Sequence, residues 1–312
     1  MKKALVIGAM GFAGSSLTEE LISSGYEVTG TDIISDGKDI IKADMLNKAE
    51  ASDLIAEVKP DVIFNLAGQA SPQISWKDIN LTMHLNVDLS VNIAEAVLEH
   101  CPDTRILYIG SANQYDMASS DKPEIDESCP LADNSPYAIS KNTQEAVLKL
   151  LIAKKGLEAV FTRSFNHIGP AQKEGFVVTD YCKRIALLEK RQIDTFEYGD
   201  LDSWRDFSDV RDVVRAYRLL GEKGRTGEVY NVGSGRSFYI RDMIGTLVEA
   251  SPKASSATTL PVRLPDDQLV HYRADITKLN KDTGFEPEYD IEDTLISVLE
   301  AYRNKACRLL NT

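Results

Sequence analysis

The sequence predicts an α/β fold in which a doubly wound parallel sheet is joined by a smaller α/β domain, and three observations carry that prediction. The first is a short apolar run, Lys3-Ala4-Leu5-Val6-Ile7, met at once by Gly8, Gly11 and Gly14 and then by a stretch in which Leu17, Leu21 and Ile22 recur at helical spacing. The second is the repetition of this strand-then-helix rhythm as far as Ser164, the way parallel strands are connected. The third is its loss beyond Asn166, where strand-like pieces (195–199, 228–233) mix with helical ones (179–191, 240–250, 292–304). Residues 1–165 are therefore expected to form the first domain and 166–312 mainly the second, with some elements returning to the first sheet.

Each glycine of the opening turn has a distinct use. Gly8 allows the tight turn, Gly11 lets backbone approach a phosphate, and Gly14 lets the helix opened by Phe12 lie close on the strand. Gly25 is a natural helix stop, and a second β run, Tyr26 to Asp32, ends in an acid eighteen residues after Gly14. An acid there can hold both ribose hydroxyls of an adenosine and repel a 2′-phosphate. Glycine triplets alone mark many ordinary turns; the strand before, the helix after and the acid at this distance predict a dinucleotide site. The first basic residue after Asp32 is Lys38, so NAD(H) is favoured, with NADP(H) as the alternative.

Further along, 49–59 reads as a helix stopped by Pro60, and 61–68 as a buried strand ending in Leu66-Ala67-Gly68. Small residues there permit the pyrophosphate and nicotinamide ribose to approach; a plain strand-to-turn junction is the other reading. Residues 79–100 carry Leu81, Leu85, Leu89, Ile93, Ala96 and Val97, one long amphipathic helix. The strand from Arg105 ends at Ser111, and 112–134 is polar and turn-rich, a surface loop. Asn134-Ser135-Pro136 is a strong helix start, and 158–164 is one more strand.

Composition narrows the class. The chain has 312 residues, 43% hydrophobic and 27% charged, ordinary for a soluble globular protein with a substantial core. A net charge of −13 argues against nucleic acid or an anionic membrane as partner. Apolar runs fall short of the ~18 residues of a membrane span, and the glycine turn interrupts the N-terminal apolar segment too early for a signal peptide. Cys101, Cys129, Cys182 and Cys307 lack C-x-x-C spacing, and the four histidines lack zinc spacing. Free thiols, a cytoplasmic location and no metal are expected.

Tyr137 and Lys141 stand four apart, on one face of the helix begun at Pro136. A neighbouring ammonium and an oxidised nicotinamide would favour the phenolate, and lowering a phenol by three units requires about 4 kcal/mol of differential stabilisation. Ser111, ending the preceding strand, can donate to a substrate carbonyl oxygen. Together they predict hydride transfer at a carbinol or ketone carbon, with Tyr137 carrying the proton.

These features resemble the extended branch of the short-chain dehydrogenase/reductase superfamily, a Rossmann fold, and specifically members that act on nucleotide sugars. The segments Thr162 to Pro170, Gly175-Phe176-Val177, Trp204 to Asp212 and Val229 to Gly235 are similar to the GDP-mannose 4,6-dehydratase group, which includes reductases of 4-keto-6-deoxy GDP-sugars. The resemblance implies that Asp44 and Met45 flank the adenine, against the simpler reading of a solvated loop acid, and that Ile168 lines the cofactor. It implies that Asn86 steadies the catalytic strand, and that Asn166, Val177, Lys183, Arg205 and Arg263 hold a nucleotide-diphosphate sugar. Arginine's planar fork suits pyrophosphate. It also implies a homodimer through the 79–100 and 136–155 helices.

One departure matters. Dehydratases of the group carry a glutamate two residues after the catalytic serine or threonine, and here Asn113 stands there. An amide cannot serve as a base near neutrality, so dehydration is disfavoured. The expected activity is reduction of a 4-keto-6-deoxy nucleotide sugar. A 4-epimerase with tightly held NAD is the nearest alternative, and a non-catalytic dinucleotide sensor is the alternative outside enzymes.

Overall fold

A computed structural model of the chain describes residues 1–35, 37–120, 122–260 and 271–309. Strands β1 (Lys3–Ile7), β2 (Glu27–Asp32), β3 (Ile40–Lys42), β4 (Val62–Asn65) and β5 (Arg105–Ser111) lie in one seven-stranded sheet. The short β6 (Glu124–Ile125) stands outside it, and β7 (Ala159–Ser164) rejoins it. β8 (Asn166–Ile168) and β9 (Trp204–Asp209) begin a three-stranded sheet that β11 (Ser237–Tyr239) completes, while β10 (Val229–Val232) returns to the large one. β12 (Arg273–Ala274) pairs with β6.

The large sheet runs β10-β7-β5-β4-β1-β2-β3, and its pairings are parallel throughout. Chain order reverses between β1 and β4, and ligands of doubly wound sheets bind at the carboxyl ends of such a switch point. Strand residues alternate between two apolar layers. Leu5, Ile7, Ile63, Ile106 and Tyr108 meet Leu54, Ile93 and Val97 on one side, and Ala4, Val6, Phe64 and Leu107 meet Leu17, Val213 and Tyr217 on the other. Each large apolar side chain so buried contributes about 1.5–3 kcal/mol. A separate cluster joins Val178, Cys182 and Ile185 to Ile244, Leu247, Val298 and Leu299, with Phe207 of β9 packed into it.

Four expectations need correction. Residues 195–199 are irregular rather than a strand, because Phe196 and Tyr198 fold onto Tyr181, whose hydroxyl accepts the Gly199 N–H at 2.8 Å. The 79–100 segment is helical but broken by a π turn at His84–Asp88 between Ile79–Met83 and Leu89–His100. The 112–134 stretch is more than a surface loop: Tyr115 and Ile125 are buried, and Tyr115 Oη donates to Asn231 Oδ1 at 2.7 Å. Ile22 is exposed, since it lies well around the helix from Leu17 and Leu21, which are buried.

Candidate active site

The glycine turn is shaped by contact. Gly8 has φ +85°, and a Cβ there would stand 2.9 Å from the Ala67 nitrogen at the end of β4. A Cβ on Gly14 would lie 2.1 Å from the Gly8 carbonyl oxygen, so a side chain is excluded. The Phe12–Ser23 helix starts from Gly11 with no side-chain cap among the described residues, which leaves its first N–H groups to an anion. Asp32 ends β2 with Oδ2 accepting the Met10 N–H at 3.0 Å and Oδ1 accepting the Ile33 N–H at 2.8 Å, fixing its carboxylate beside the turn. A bare helix N-terminus, a turn with no room for Cβ atoms and an anchored acid together fit a dinucleotide. Leu66 and Ala67 are partly buried beside the turn, and Gly68, at φ +146°, has room for a Cβ denied by Asn86 Oδ1 at 2.5 Å.

Three cofactor candidates have partners within the protein. Met45 is core, 2% exposed, and Asp44 accepts from the Leu46 N–H at 2.9 Å, closing its own loop. Ile168, 2% exposed, belongs to the separate cluster with Val178, Cys182 and Ile185. The contact that sequence reasoning missed is a stack of Phe12 on His167, centroids 5.7 Å apart at 12°. An aromatic directly after Gly11 and a histidine in the Asn166-His167-Ile168-Gly169 run were its available signal. Gly169 lies tight against the same ring, since its Cβ would approach Phe12 to 3.2 Å.

Ser111 stands at the carboxyl end of β5, and the Pro136–Lys155 helix presents Tyr137 and Lys141. That helix starts where it does because Ser135 Oγ accepts the Ala138 N–H at 3.1 Å and proline occupies the first turn. Tyr137 is 5% exposed; Lys141 is 7% exposed, and its Nζ donates to the Ile109 carbonyl at 2.8 Å. The expected acidified phenol is not what this arrangement gives. Burial pushes the Tyr137 hydroxyl up, offset in part by the Ser111 hydrogen bond, and burial pulls Lys141 down to about 8. Burial outweighs the groups around it, so the resting phenol keeps its proton.

The π turn explains Asn86, which is fully buried. Its Oδ1 accepts the Gln69 N–H at 2.9 Å and its Nδ2 donates to Ser140 Oγ at 2.8 Å. Asn86 thus ties the segment after β4 to the helix of Tyr137 and Lys141, rather than bracing the catalytic strand. Local π turns of this kind recur at functional sites.

Behind the trio lies a buried ion pair that also escaped sequence reasoning. Arg163 of β7 donates to both carboxylate oxygens of Glu145, from Nη2 at 2.8 and 3.0 Å and from Nε at 3.2 Å, and its guanidinium stacks over Tyr115 at 4.7 Å. Lys149 adds a contact to Glu145 at 2.8 Å. The signal was Tyr137, Lys141 and Glu145 at i, i+4 and i+8, one helix face.

On the substrate side, Asn166 and Arg205 lie on the adjacent strands β8 and β9. Asn166 is opposite Phe207 in register, and Arg205, two residues before Phe207, shares that sheet face. Both are exposed; Asn166 Nδ2 donates to the Asp206 carbonyl at 3.2 Å and Arg205 to the Trp204 carbonyl at 2.7 Å. Val177 opens the Val177–Glu189 helix and packs partly against its core. Lys183 is instead paired with Glu174 at 2.6 Å. Arg263 lies outside the described residues. Among the described residues there is no cluster of three or more potential metal ligands, and no helix is long and apolar enough to cross a membrane.

The parallel sheet, its glycine turn and the Ser111–Tyr137–Lys141 cluster define a class, the Rossmann-fold enzymes that work with a nicotinamide dinucleotide. The chain belongs to the NAD dependent epimerase/dehydratase family, which it matches over residues 4–233. Among its relatives, the GDP-6-deoxy-D-mannose reductase of Pseudomonas aeruginosa is 29% identical, over 97% of this chain and 98% of its own. The UDP-glucose 4-epimerase of Mycolicibacterium smegmatis is 30% identical, over 97% and 99%. The structure of RMD from Pseudomonas aeruginosa complexed with NADPH superposes with a TM-score of 0.85 at 28% identity, covering 98% of this chain and 100% of that one.

Proposed function

We propose that the protein reduces the ketone of a 4-keto-6-deoxy nucleotide sugar, GDP-4-keto-6-deoxy-mannose first among them, with NADH as donor. The observation that carries this reading is the buried Tyr137, its phenol kept protonated by burial near Ser111, with Asn113 rather than an acid two residues past the serine. A bound reduced nicotinamide supplies the hydride in such chemistry. Tyr137 gives its proton to the carbonyl oxygen, Ser111 donates to the same oxygen and holds it, and Lys141 stabilises the phenolate left behind. Elimination of water would need a base beside the ketone, and an amide supplies none.

Asp32 and the bare helix N-terminus would hold the cofactor, with Asn166, Val177 and Arg205 toward the nucleotide. Lys183 would have to leave Glu174 to contribute. The P. aeruginosa structure holds NADPH, and Lys42 stands at the register position beside Asp32, which favours testing both cofactors. Incubation with GDP-4-keto-6-deoxy-mannose is expected to oxidise NADH, more slowly NADPH, to give the 6-deoxy sugar nucleotide. The reading fails if the keto sugar is recovered unchanged with either cofactor.

The epimerase reading draws support from the M. smegmatis relative, and it differs in consuming no net NADH. A homodimer is also proposed, because Ile79, Leu81, Ile139 and Leu150 are exposed on the two helical segments expected to pair. Light scattering should give twice the chain mass, and a monomer at working concentrations would contradict it.

A further inference from the structure

Ser111 is followed, after Ala112, by two amides. Gln114 is 1% exposed. Its Oε1 accepts the Ser111 N–H at 3.0 Å. Its Nε2 donates to Asn142 Oδ1 at 3.1 Å and to Glu145 Oε2 at 3.2 Å, both on the helix that carries Tyr137 and Lys141. One side chain therefore ties the end of β5 to that helix. The amide fits because position 110 is glycine, where a Cβ would lie 2.3 Å from Gln114 Oε1.

Asn113 acts on the hydroxyl itself. Its backbone N–H and its Nδ2 both point at Ser111 Oγ, at 3.2 and 3.3 Å. A serine oxygen has two lone pairs and one proton. With both lone pairs accepting, the serine proton is what remains to be directed outward, on the side of the hydroxyl away from Asn113.

We propose that Asn113 and Gln114 are positioning residues that commit Ser111 to donating its hydroxyl hydrogen, Gln114 by anchoring the serine backbone to the helix and Asn113 by filling the acceptor sites of Oγ. The inference rests on Ser111 acting at the substrate oxygen, as argued above. It requires an amide at position 113. A carboxylate accepts and does not donate, so it would draw the serine proton to itself and turn Ser111 away from Tyr137 and the ketone. Gln114 likewise must present an acceptor to Ser111 and a donor to Glu145, a pairing that an amide supplies and an ionised acid cannot.

The test compares Asn113→Asp, Asn113→Ala and Gln114→Met with the unsubstituted protein. Against the keto sugar, Asn113→Asp is expected to lose roughly tenfold to a hundredfold in kcat with KM for NADH unchanged, and to recover as pH falls and the new carboxyl regains its proton. Asn113→Ala should lose less and show no such recovery. Gln114→Met should lower kcat without moving KM; a fall in melting temperature alone, with kcat intact, would make Gln114 structural and overturn its part. A second readout needs no sugar: ultraviolet titration of Tyr137 in the NAD-bound protein, taken against Tyr137→Phe. Tyr217 interacts with that hydroxyl, and Lys141 lies one helical turn on; both are common to all variants. The midpoint in Asn113→Asp should lie about one pH unit above that in Asn113→Ala. Coincident midpoints would overturn the inference even if the sugar assignment holds, and a shifted midpoint would sustain it even if the sugar proves to be another.

Discussion

Replacing Tyr137 with phenylalanine is expected to lower kcat roughly a hundredfold to ten-thousandfold while leaving NADH affinity near its original value. The ring is 5% exposed and packs in place, so the substitution removes the hydroxyl and little else. Ser111 keeps its backbone anchor through Gln114, and the cofactor cradle, built from the glycine turn and Asp32, is untouched. The measurement is stopped-flow oxidation of NADH beside fluorescence titration of binding. Undiminished turnover would remove the phenol from the chemistry. In the unsubstituted protein the same step carries a pH signature. Tyr137 stays protonated across the neutral range, whereas Lys141 is pulled down to about 8 by burial. Stabilisation of the phenolate by the ammonium is complete below that value and is lost as pH rises through it, so reduction should slow above about pH 8 with no matching loss below.

Glu145→Ala is expected to be the most damaging substitution to the fold among the residues around the site. It would leave Arg163, 4% exposed, charged and without its carboxylate partner beneath the catalytic helix. Breaking one half of a buried pair costs about 3–5 kcal/mol, a large part of a domain's stability. Thermal or urea denaturation should show it. The double variant Glu145→Leu, Arg163→Met should recover most of the loss, because removing both charges leaves no buried charge unpaired. A single variant as stable as the parent would mean that water reaches Arg163.

What could be read from the chain follows from the range of the forces involved. β1, the glycine turn and Asp32 were legible because strand, turn and acid are set by neighbours within thirty residues. Tyr137 and Lys141 were legible from helical spacing, and Ser111 from its place at a strand end. The depressed Lys141 and the protonated Tyr137 were not, since they depend on burial and on the Ile109 carbonyl that Lys141 reaches across the fold. The π turn at Asn86 escaped because one extra residue in a helix leaves the apolar rhythm almost intact. Gln114 sat in a stretch whose polarity looked like solvent exposure, yet β6 pairs with β12 some 150 residues away and that segment is drawn inward. The aromatic packing of Phe196 and Tyr198 on Tyr181 overrode a local β preference in the same way.

The account turns on a protonated phenol delivering its hydrogen to a sugar ketone as hydride arrives at the same carbonyl carbon. The most direct measurement is turnover of the keto sugar with NADH deuterated at the transferring position, followed by NMR of the product. One NADH consumed per sugar, with deuterium at C4, is the predicted result. Interconversion of sugars with no net NADH oxidised and no label gained would contradict it.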